Sequence, residues 1–257
     1  MISFLERKEK RKHTVRVFHI PTMKLITVEQ MEAATERLLE NGRKVGADSW
    51  QQRVKNQTPH CKFGEEGICC RICSMGPCRI TPKAPRGICG CDVHGIVARN
   101  YLRFTAGGAA THSDHGRSIC HTLYQAKEGG NYTVKDPEKL KRIAGEWGIE
   151  TEGKDIYDLA HEVAETALME YGKPFGNCRF LSRAPEHTRQ LWHDAGIEPR
   201  AIDREVSQSL HMTHMGCSSL PEALIRQALR AGLCDGWGGS MCGTEFSDVL
   251  FGTPKPI

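Results

Sequence analysis

The segment Cys61–Cys89 reads CKFGEEGICCRICSMGPCRITPKAPRGIC and contains half of the cysteines of this 257-residue chain. The spacing C-x7-CC-x2-C-x4-C-x10-C places them at Cys61, Cys69, Cys70, Cys73, Cys78 and Cys89. Glycine and proline are frequent between them, and neither residue favours a regular helix or strand. We therefore predict a loop over residues 61–91 whose backbone is organised by bound metal.

The spacing favours an iron–sulfur cluster over zinc. Structural zinc sites use paired CxxC units, whereas this segment has one such unit, from Cys70 to Cys73. A [4Fe–4S] cube accepts a close group of thiolates plus a more distant one. The predicted ligands of one cube are Cys70, Cys73, Cys78 and Cys89, and zinc is the alternative.

Two cysteines remain. Cys69 is adjacent to Cys70, so their side chains diverge, and we expect Cys69 to face a second metal centre together with Cys61. Two thiolates do not close a four-ligand cluster, but a two-fold dimer supplies two more. We therefore predict a homodimer in which Cys61 and Cys69 of both protomers share one cluster.

Helical periodicity dominates the rest of the chain and predicts an all-α fold with a cysteine-rich loop. The predicted domain covers residues 26–257 and follows a basic arm over residues 1–25. Helices are predicted at about 28–41, 92–126, 136–147, 155–171, 184–195, 203–215, 220–233 and 244–250. We expect Gly107 and Gly108 to kink or interrupt the second of these helices.

Composition excludes several classes of protein. The formal net charge of +4 is too small and too scattered to indicate nucleic-acid binding. No run of about 18 apolar residues occurs, so no membrane span is predicted. There is no apolar leader near the start, and the clustered cysteines suit a reducing compartment, so we predict a cytoplasmic protein.

Three stretches together resemble one family, the anaerobic nickel-dependent carbon monoxide dehydrogenases. They are the cysteine run, IVARN at residues 96–100, and GGAATHSDHGRSICHTL at residues 107–123; the resemblance continues to residue 257. It implies that this chain is the N-terminal helical portion of a larger α plus α/β enzyme. It also implies the same four-plus-two division of the cysteines, with a [4Fe–4S] cluster in each subunit and a bridging [4Fe–4S] or [2Fe–2S] cluster. Cys91 is an alternative to Cys89 as the last ligand of the cube. We prefer Cys89 because it lies in a family-like GICG context.

The resemblance also assigns a role to histidines that recur every three residues. In the family such a series is thought to carry protons, and here it reads His112, His115, Ser118 and His121. The serine departs from the pattern, because a hydroxyl does not hold a charge near neutral pH as imidazole does. The alternative is a helix that presents polar residues to solvent.

The family's nickel–iron–sulfur centre takes its ligands from α/β domains, and we expect those domains to be absent from this chain. The chain would then be a fragment, a truncated product or half of a split enzyme. The other cysteines do not match the missing ligands, and we expect them in the helical core: Cys120, Cys178, Cys217, Cys234 and Cys242.

The resemblance implies the electron-transfer and dimerisation portion of an enzyme that converts CO and water to CO2, two protons and two electrons. The expected partners are a ferredoxin-like electron acceptor and acetyl-CoA synthase. Two alternatives are a stand-alone protein with a structural cluster and a hybrid-cluster redox protein. We would not expect the second pair of cysteines in a hybrid-cluster protein.

Overall fold

The computed structural model describes residues 28–215 and 217–256. The chain divides into two compact units, Met1–His60 and Cys61–Ile257. In the first unit, α1 covers Val28–Lys44 and α2 covers Trp50–Asn56, with the Ser49 side chain accepting a hydrogen bond at the start of α2. The predicted arm over residues 1–25 lies outside the described residues.

The second unit is mainly helical, as predicted. Its helices are α3 (Lys62–Glu65), α4 (Val93–Tyr124), α5 (Pro137–Glu146), α6 (Ile156–Gly172), α7 (Glu186–Asp194), α8 (Ile202–Thr213), α9 (Pro221–Cys234) and α10 (Met241–Phe251). A 3-10 turn covers Arg179–Arg183, and a π-helical segment over Asp235–Ser240 joins α9 to α10. Within the described residues, no helix is both long and apolar enough to cross a membrane.

The all-α prediction needs one correction, because the cysteine-rich loop contains a small sheet. Strand β1 (Cys69–Cys70) pairs antiparallel with β2 (Cys78–Arg79). The sequence did not predict this sheet, since two-residue strands are too short to give a periodic pattern.

Helix α4 is the central element of the second unit. The Asp92 side chain accepts a 2.9 Å hydrogen bond from the Gly95 N–H and caps its start. The helix packs against α6, α8, α9 and α10, and it buries Leu102 and Leu123 completely. The expected interruption at Gly107 and Gly108 is wrong, because α4 runs unbroken through both. Gly107 and Gly108 lie on the open face of α4, and the neighbouring Ala106 and Ala109 are buried on the packed face, which keeps the helix continuous.

Glycines allow α4 to approach the π-helical segment closely. A Cβ on Gly116 would lie 2.5 Å from the Gly239 carbonyl oxygen. A Cβ on Gly239 would lie 2.9 Å from the backbone of His112. Side chains at these two positions would therefore force the segments apart.

Candidate metal centre

The two-stranded sheet in the cysteine-rich loop determines which cysteines face each other. Its register places Cys70 opposite Cys78 and Cys69 opposite Arg79. Residues opposite each other in an antiparallel pair share a face, and successive residues point to opposite faces. Cys70 and Cys78 therefore lie on one face of the sheet, and Cys69 lies on the other.

Four cysteines line one pocket beneath this sheet. They are the four predicted ligands of one cube: Cys70, Cys73, Cys78 and Cys89. The remaining walls come from the same loop, from α4 and from the segment after α8, through Ile72, Gly76, Gly87, Ile88, Ile96, Arg99 and Met215. Cys61 and Cys69 do not line this pocket.

Backbone groups and glycines lie close to the cysteines of the pocket. The Ile88 N–H lies 3.4 Å from the Cys78 Sγ and donates to it. A Cβ on Gly87 would lie 3.6 Å from the same Sγ, and one on Gly76 would lie 3.2 Å from the Cys70 carbonyl oxygen. N–H groups directed at sulfur are among the features that tune iron–sulfur clusters.

Cys89 and Cys91 occupy different environments. The Cys91 N–H donates to the Cys89 sulfur and lowers the pKa of that thiol; burial opposes this effect, and the Arg99 guanidinium adds to it. Cys91 is 1% exposed, and burial raises the pKa of its thiol. Cys91 also packs against the first turn of α4, where a Cβ on Gly95 would lie 2.5 Å from its Sγ. The geometry therefore favours Cys89 as the fourth thiolate.

The donor types at this site bear on the choice between zinc and an iron–sulfur cluster. A zinc ion needs its sulfur ligands about 2.3 Å from one centre. In the described part of the chain, no three His, Cys, Asp or Glu side chains are grouped to hold a single metal ion. The four thiols line one pocket, and in a cube each thiolate would bind a different iron, so the preference for a cluster over zinc stays a prediction.

Cys61 and Cys69 lie outside the pocket. Cys61 is exposed at the N-cap of α3, and Cys69 is half-buried in β1. The Asn100 amide donates to the carbonyl oxygens of Gly67 and Cys69 at 3.0 and 2.9 Å, which ties β1 to α4. Sharing of a cluster between protomers stays a prediction.

The four residues of the histidine series are exposed on α4, and because each step of three residues advances about 300° around a helix, they spread over about half of its circumference. Nδ1 of His112 lies 2.6 Å from Oδ1 of Asp235 in the π-helical segment. His115 lies against Gly243 of α10, and Ser118 and His121 are exposed. Both a proton relay and a solvated helix face agree with this placement, so the relay stays a prediction.

The other cysteines follow the core expectation with one exception. Cys120, Cys178, Cys234 and Cys242 are buried, whereas Cys217 is exposed because it lies in the segment between α8 and α9. The buried thiols are not isolated from one another, since the Sγ atoms of Cys178 and Cys234 are 3.6 Å apart.

Sequence reasoning missed two residues that hold the site, Arg99 and Asn100. Both belong to the IVARN stretch, but no role was predicted for either residue. Arg99 follows Ile96 by three residues, and helical spacing would have placed the two on one face of α4.

Together, the fold and the pocket define a mainly helical domain with a thiol-lined site in a cysteine-rich loop. The Prismane/CO dehydrogenase family matches residues 68–257, and the chain belongs to this family.

Three known proteins illustrate the likeness. Carbon monoxide dehydrogenase 1 of Methanosarcina mazei is 46% identical over 233 residues, which cover 89% of this chain and 37% of that protein. The beta subunit of carbon monoxide dehydrogenase/acetyl-CoA synthase of Moorella thermoacetica is 40% identical, covering 80% of this chain and 32% of its own length. A nickel-free crystal structure of carbon monoxide dehydrogenase from Thermococcus sp. AM4 superposes with a TM-score of 0.80 at 45% identity, covering 86% of this chain and 36% of that one. The chain thus spans roughly a third of the length of these relatives.

Proposed function

We propose that this chain is the electron-transfer and dimerisation portion of an anaerobic carbon monoxide dehydrogenase. The whole enzyme would convert CO and water to CO2, two protons and two electrons. The observation that carries the proposal is the convergence of Cys70, Cys73, Cys78 and Cys89 on one pocket. The names of the relatives favour this function over that of a hybrid-cluster protein.

In the proposed site, a [4Fe–4S] cube held by these four thiolates would supply one-electron storage. The chain's own residues prepare its surroundings. Ile72, Ile88 and Ile96 give the pocket an apolar lining, although Ile88 and Cys89 are exposed in this chain. The Ile88 N–H and the Arg99 guanidinium direct donors at the Sγ atoms of Cys78 and Cys89.

The second part of the proposal is a cluster shared across a two-fold axis by Cys61 and Cys69. The sheet directs Cys69 away from the pocket, and Asn100 fixes its backbone on α4. An exposed apolar stripe on the same stretch of α4 supports a protein interface there. The stripe consists of Val97, Tyr101 and Phe104, which lie one turn apart.

Partners of the whole enzyme follow from the same proposal. Electrons from a nickel–iron–sulfur centre would leave through the two kinds of cluster to a ferredoxin-like acceptor. The name of the Moorella relative supports acetyl-CoA synthase as a further partner. The exposed histidine series would move protons away from that centre.

Iron analysis tests the proposal. We would purify the chain without oxygen and measure iron and sulfide per dimer. Two subunit cubes and one shared cube predict about twelve irons per dimer, and a shared two-iron cluster predicts about ten. Zinc in place of iron would contradict the whole proposal.

The matched control is the Cys61→Ser, Cys69→Ser double variant. We expect it to keep about eight irons per dimer, because the four pocket thiols are untouched. If the unmodified dimer also holds about eight irons, the shared cluster does not exist. Reduction by dithionite and reoxidation by a ferredoxin then separate an electron carrier from a structural cluster.

A further inference from the structure

Arg99 is a buried cation at the wall of the thiol-lined pocket. It lies on α4, one turn after Ile96, and only 3% of it is exposed. Its Nη1 donates to the Cys89 Sγ at 3.6 Å. Its Nε donates at 2.8 Å to the carbonyl oxygen of Ser218, and Nη2 contacts the same oxygen.

These partners leave the charge of Arg99 without a carboxylate. Among the side chains described in residues 32–215 and 217–256, no aspartate or glutamate forms an ion pair with it. A buried charge is costly unless it is paired, and a carbonyl oxygen supplies only a dipole. The group hydrogen-bonded to Arg99 that can carry the opposite charge is the thiolate of Cys89.

We propose that Arg99 is a positioning residue that supplies the counter-charge for a cluster bound at Cys89 and raises its reduction potential. The inference rests on the proposed function, since it needs a cluster in the pocket. Arg99 also holds the segment after α8 at the pocket, because it binds Ser218 and the nearby Met215 lines the wall.

The direction of the effect follows from charge. Four thiolates leave the cluster negatively charged, and reduction adds one electron to it without forming or breaking a bond. A neighbouring cation that donates N–H to sulfur stabilises the reduced state more than the oxidised state. Removal of Arg99 should therefore lower the potential.

The test is a redox titration of the anaerobically purified chain with dithionite, followed by electron paramagnetic resonance. The signal that Cys89→Ser abolishes identifies the cluster of the pocket. We expect Arg99→Gln to make reduction of this cluster about tenfold less favourable, a shift of about 59 mV to lower potential. Arg99→Lys keeps the charge but loses the planar fork, so we expect a smaller shift in the same direction.

Arg103→Gln is the matched control. Arg103 lies one turn further along α4 and donates to Thr213 Oγ1 at 2.9 Å. It therefore joins α4 to the end of α8, as Arg99 joins α4 to the segment that follows α8, but it does not line the pocket. We expect the Arg103→Gln variant to have the same iron content and the same reduction potential of the pocket cluster as the unmodified chain.

Iron content and circular dichroism separate the outcomes. Full iron and an unchanged potential in Arg99→Gln would overturn the inference. Loss of iron from this variant with native helicity, while Arg103→Gln keeps its iron, would support the positioning role. If Arg99→Gln does not fold, the Arg99→Lys variant tests the inference instead. A reduction potential of its pocket cluster equal to that of the unmodified chain would overturn the inference. An unmodified chain without iron would instead contradict the proposed function.

Discussion

Cys89 and Cys91 lie two residues apart, yet the fold gives their thiols opposite properties. Cys89 receives a backbone N–H and faces a guanidinium, which favour its thiolate. Cys91 is buried against α4, which favours its neutral thiol. Thiolates bind metal and neutral buried thiols pack as small apolar groups. One residue is therefore suited to coordination and the other to packing.

Substitution of these two cysteines separates the roles. We expect Cys89→Ser to lose the iron of the pocket, about four atoms per protomer. Cys91→Ala should keep its iron and lose roughly 1 kcal/mol of unfolding free energy, because it removes only a small buried group. Iron analysis after anaerobic gel filtration measures the difference. Iron loss in Cys91→Ala with full iron in Cys89→Ser would reverse the assignment.

Glu205 illustrates a buried charge that is fully paired. Its carboxylate accepts from Nε and Nη2 of Arg200 at 2.7 Å each and from Nε2 of Gln227 at 3.0 Å. Burial pushes the pKa of Glu205 upward, but the hydrogen bonds from Arg200 and Gln227 outweigh it and hold the pKa below its ordinary value of 4.5. The charged form therefore stabilises the folded state.

The pH dependence of stability follows from this lowered pKa. The contribution of Glu205 is present above pH 4.5 and is lost as the pH falls through the lower folded-state value. We expect Glu205→Gln to be less stable than the unmodified chain at pH 6, with the difference shrinking toward pH 4. Urea unfolding at both pH values measures it. A difference that grows on acidification would contradict the assignment.

At the scale of elements, α4 uses glycine in two different ways. A Cβ on Gly107 would meet nothing within 4 Å, whereas a Cβ on Gly116 would meet the Gly239 carbonyl and the Tyr171 hydroxyl at 2.5 and 2.7 Å. Gly107 therefore only weakens the helix, while Gly116 permits the close crossing with the π-helical segment.

Alanine at these two glycines should have opposite effects. We expect Gly107→Ala to raise the unfolding free energy by about 0.5–1 kcal/mol, because alanine restricts the unfolded chain and favours helix. Gly116→Ala should lower it by about 1–3 kcal/mol through overpacking. Thermal and urea unfolding followed by circular dichroism would measure both. Equal effects at the two positions would contradict the close crossing.

Eight of the helices were predictable from sequence because their apolar periodicity and caps are local, whereas the short helices α2 and α3 were not predicted. The start of α4 after Asp92 and that of α5 after Asp136 follow from side-chain caps. Spacing also grouped the four cysteines that line one pocket, while their binding of one cluster stays a prediction. The β1–β2 pairing and the approach of Arg99 to Cys89 were not predictable, since both join residues whose proximity depends on tertiary packing. The continuity of α4 through Gly107 was missed for the same reason.

At the scale of the whole molecule, the apolar stripe of Val97, Tyr101 and Phe104 is exposed along α4 in this chain. Phe104 is 81% exposed and Tyr101 is 53% exposed. Exposed aromatic residues that lie together on one helix face are typical of protein interfaces. Through Asn100, the same stretch of helix holds the strand that contains Cys69.

A charge in this stripe tests whether it forms the proposed dimer interface. We expect Tyr101→Lys to weaken self-association about tenfold or more, because a tyrosine that becomes buried in an interface often contributes strongly to binding. Sedimentation analysis under anaerobic conditions measures the dissociation constant. Phe251→Lys, at the exposed end of α10, is the control and should leave the dimer unchanged. Equal weakening by both variants would place the interface elsewhere.

The opposite orientations of Cys69 and Cys70 have a consequence for electron flow. If these neighbours bind two different clusters, a single peptide unit joins the ligand of one to the ligand of the other. Consecutive Cα atoms are about 3.8 Å apart whatever the surrounding packing does. The electron-tunnelling path between the two clusters would then run along covalent bonds. Movements of the helices or of the two protomers would scarcely change its length.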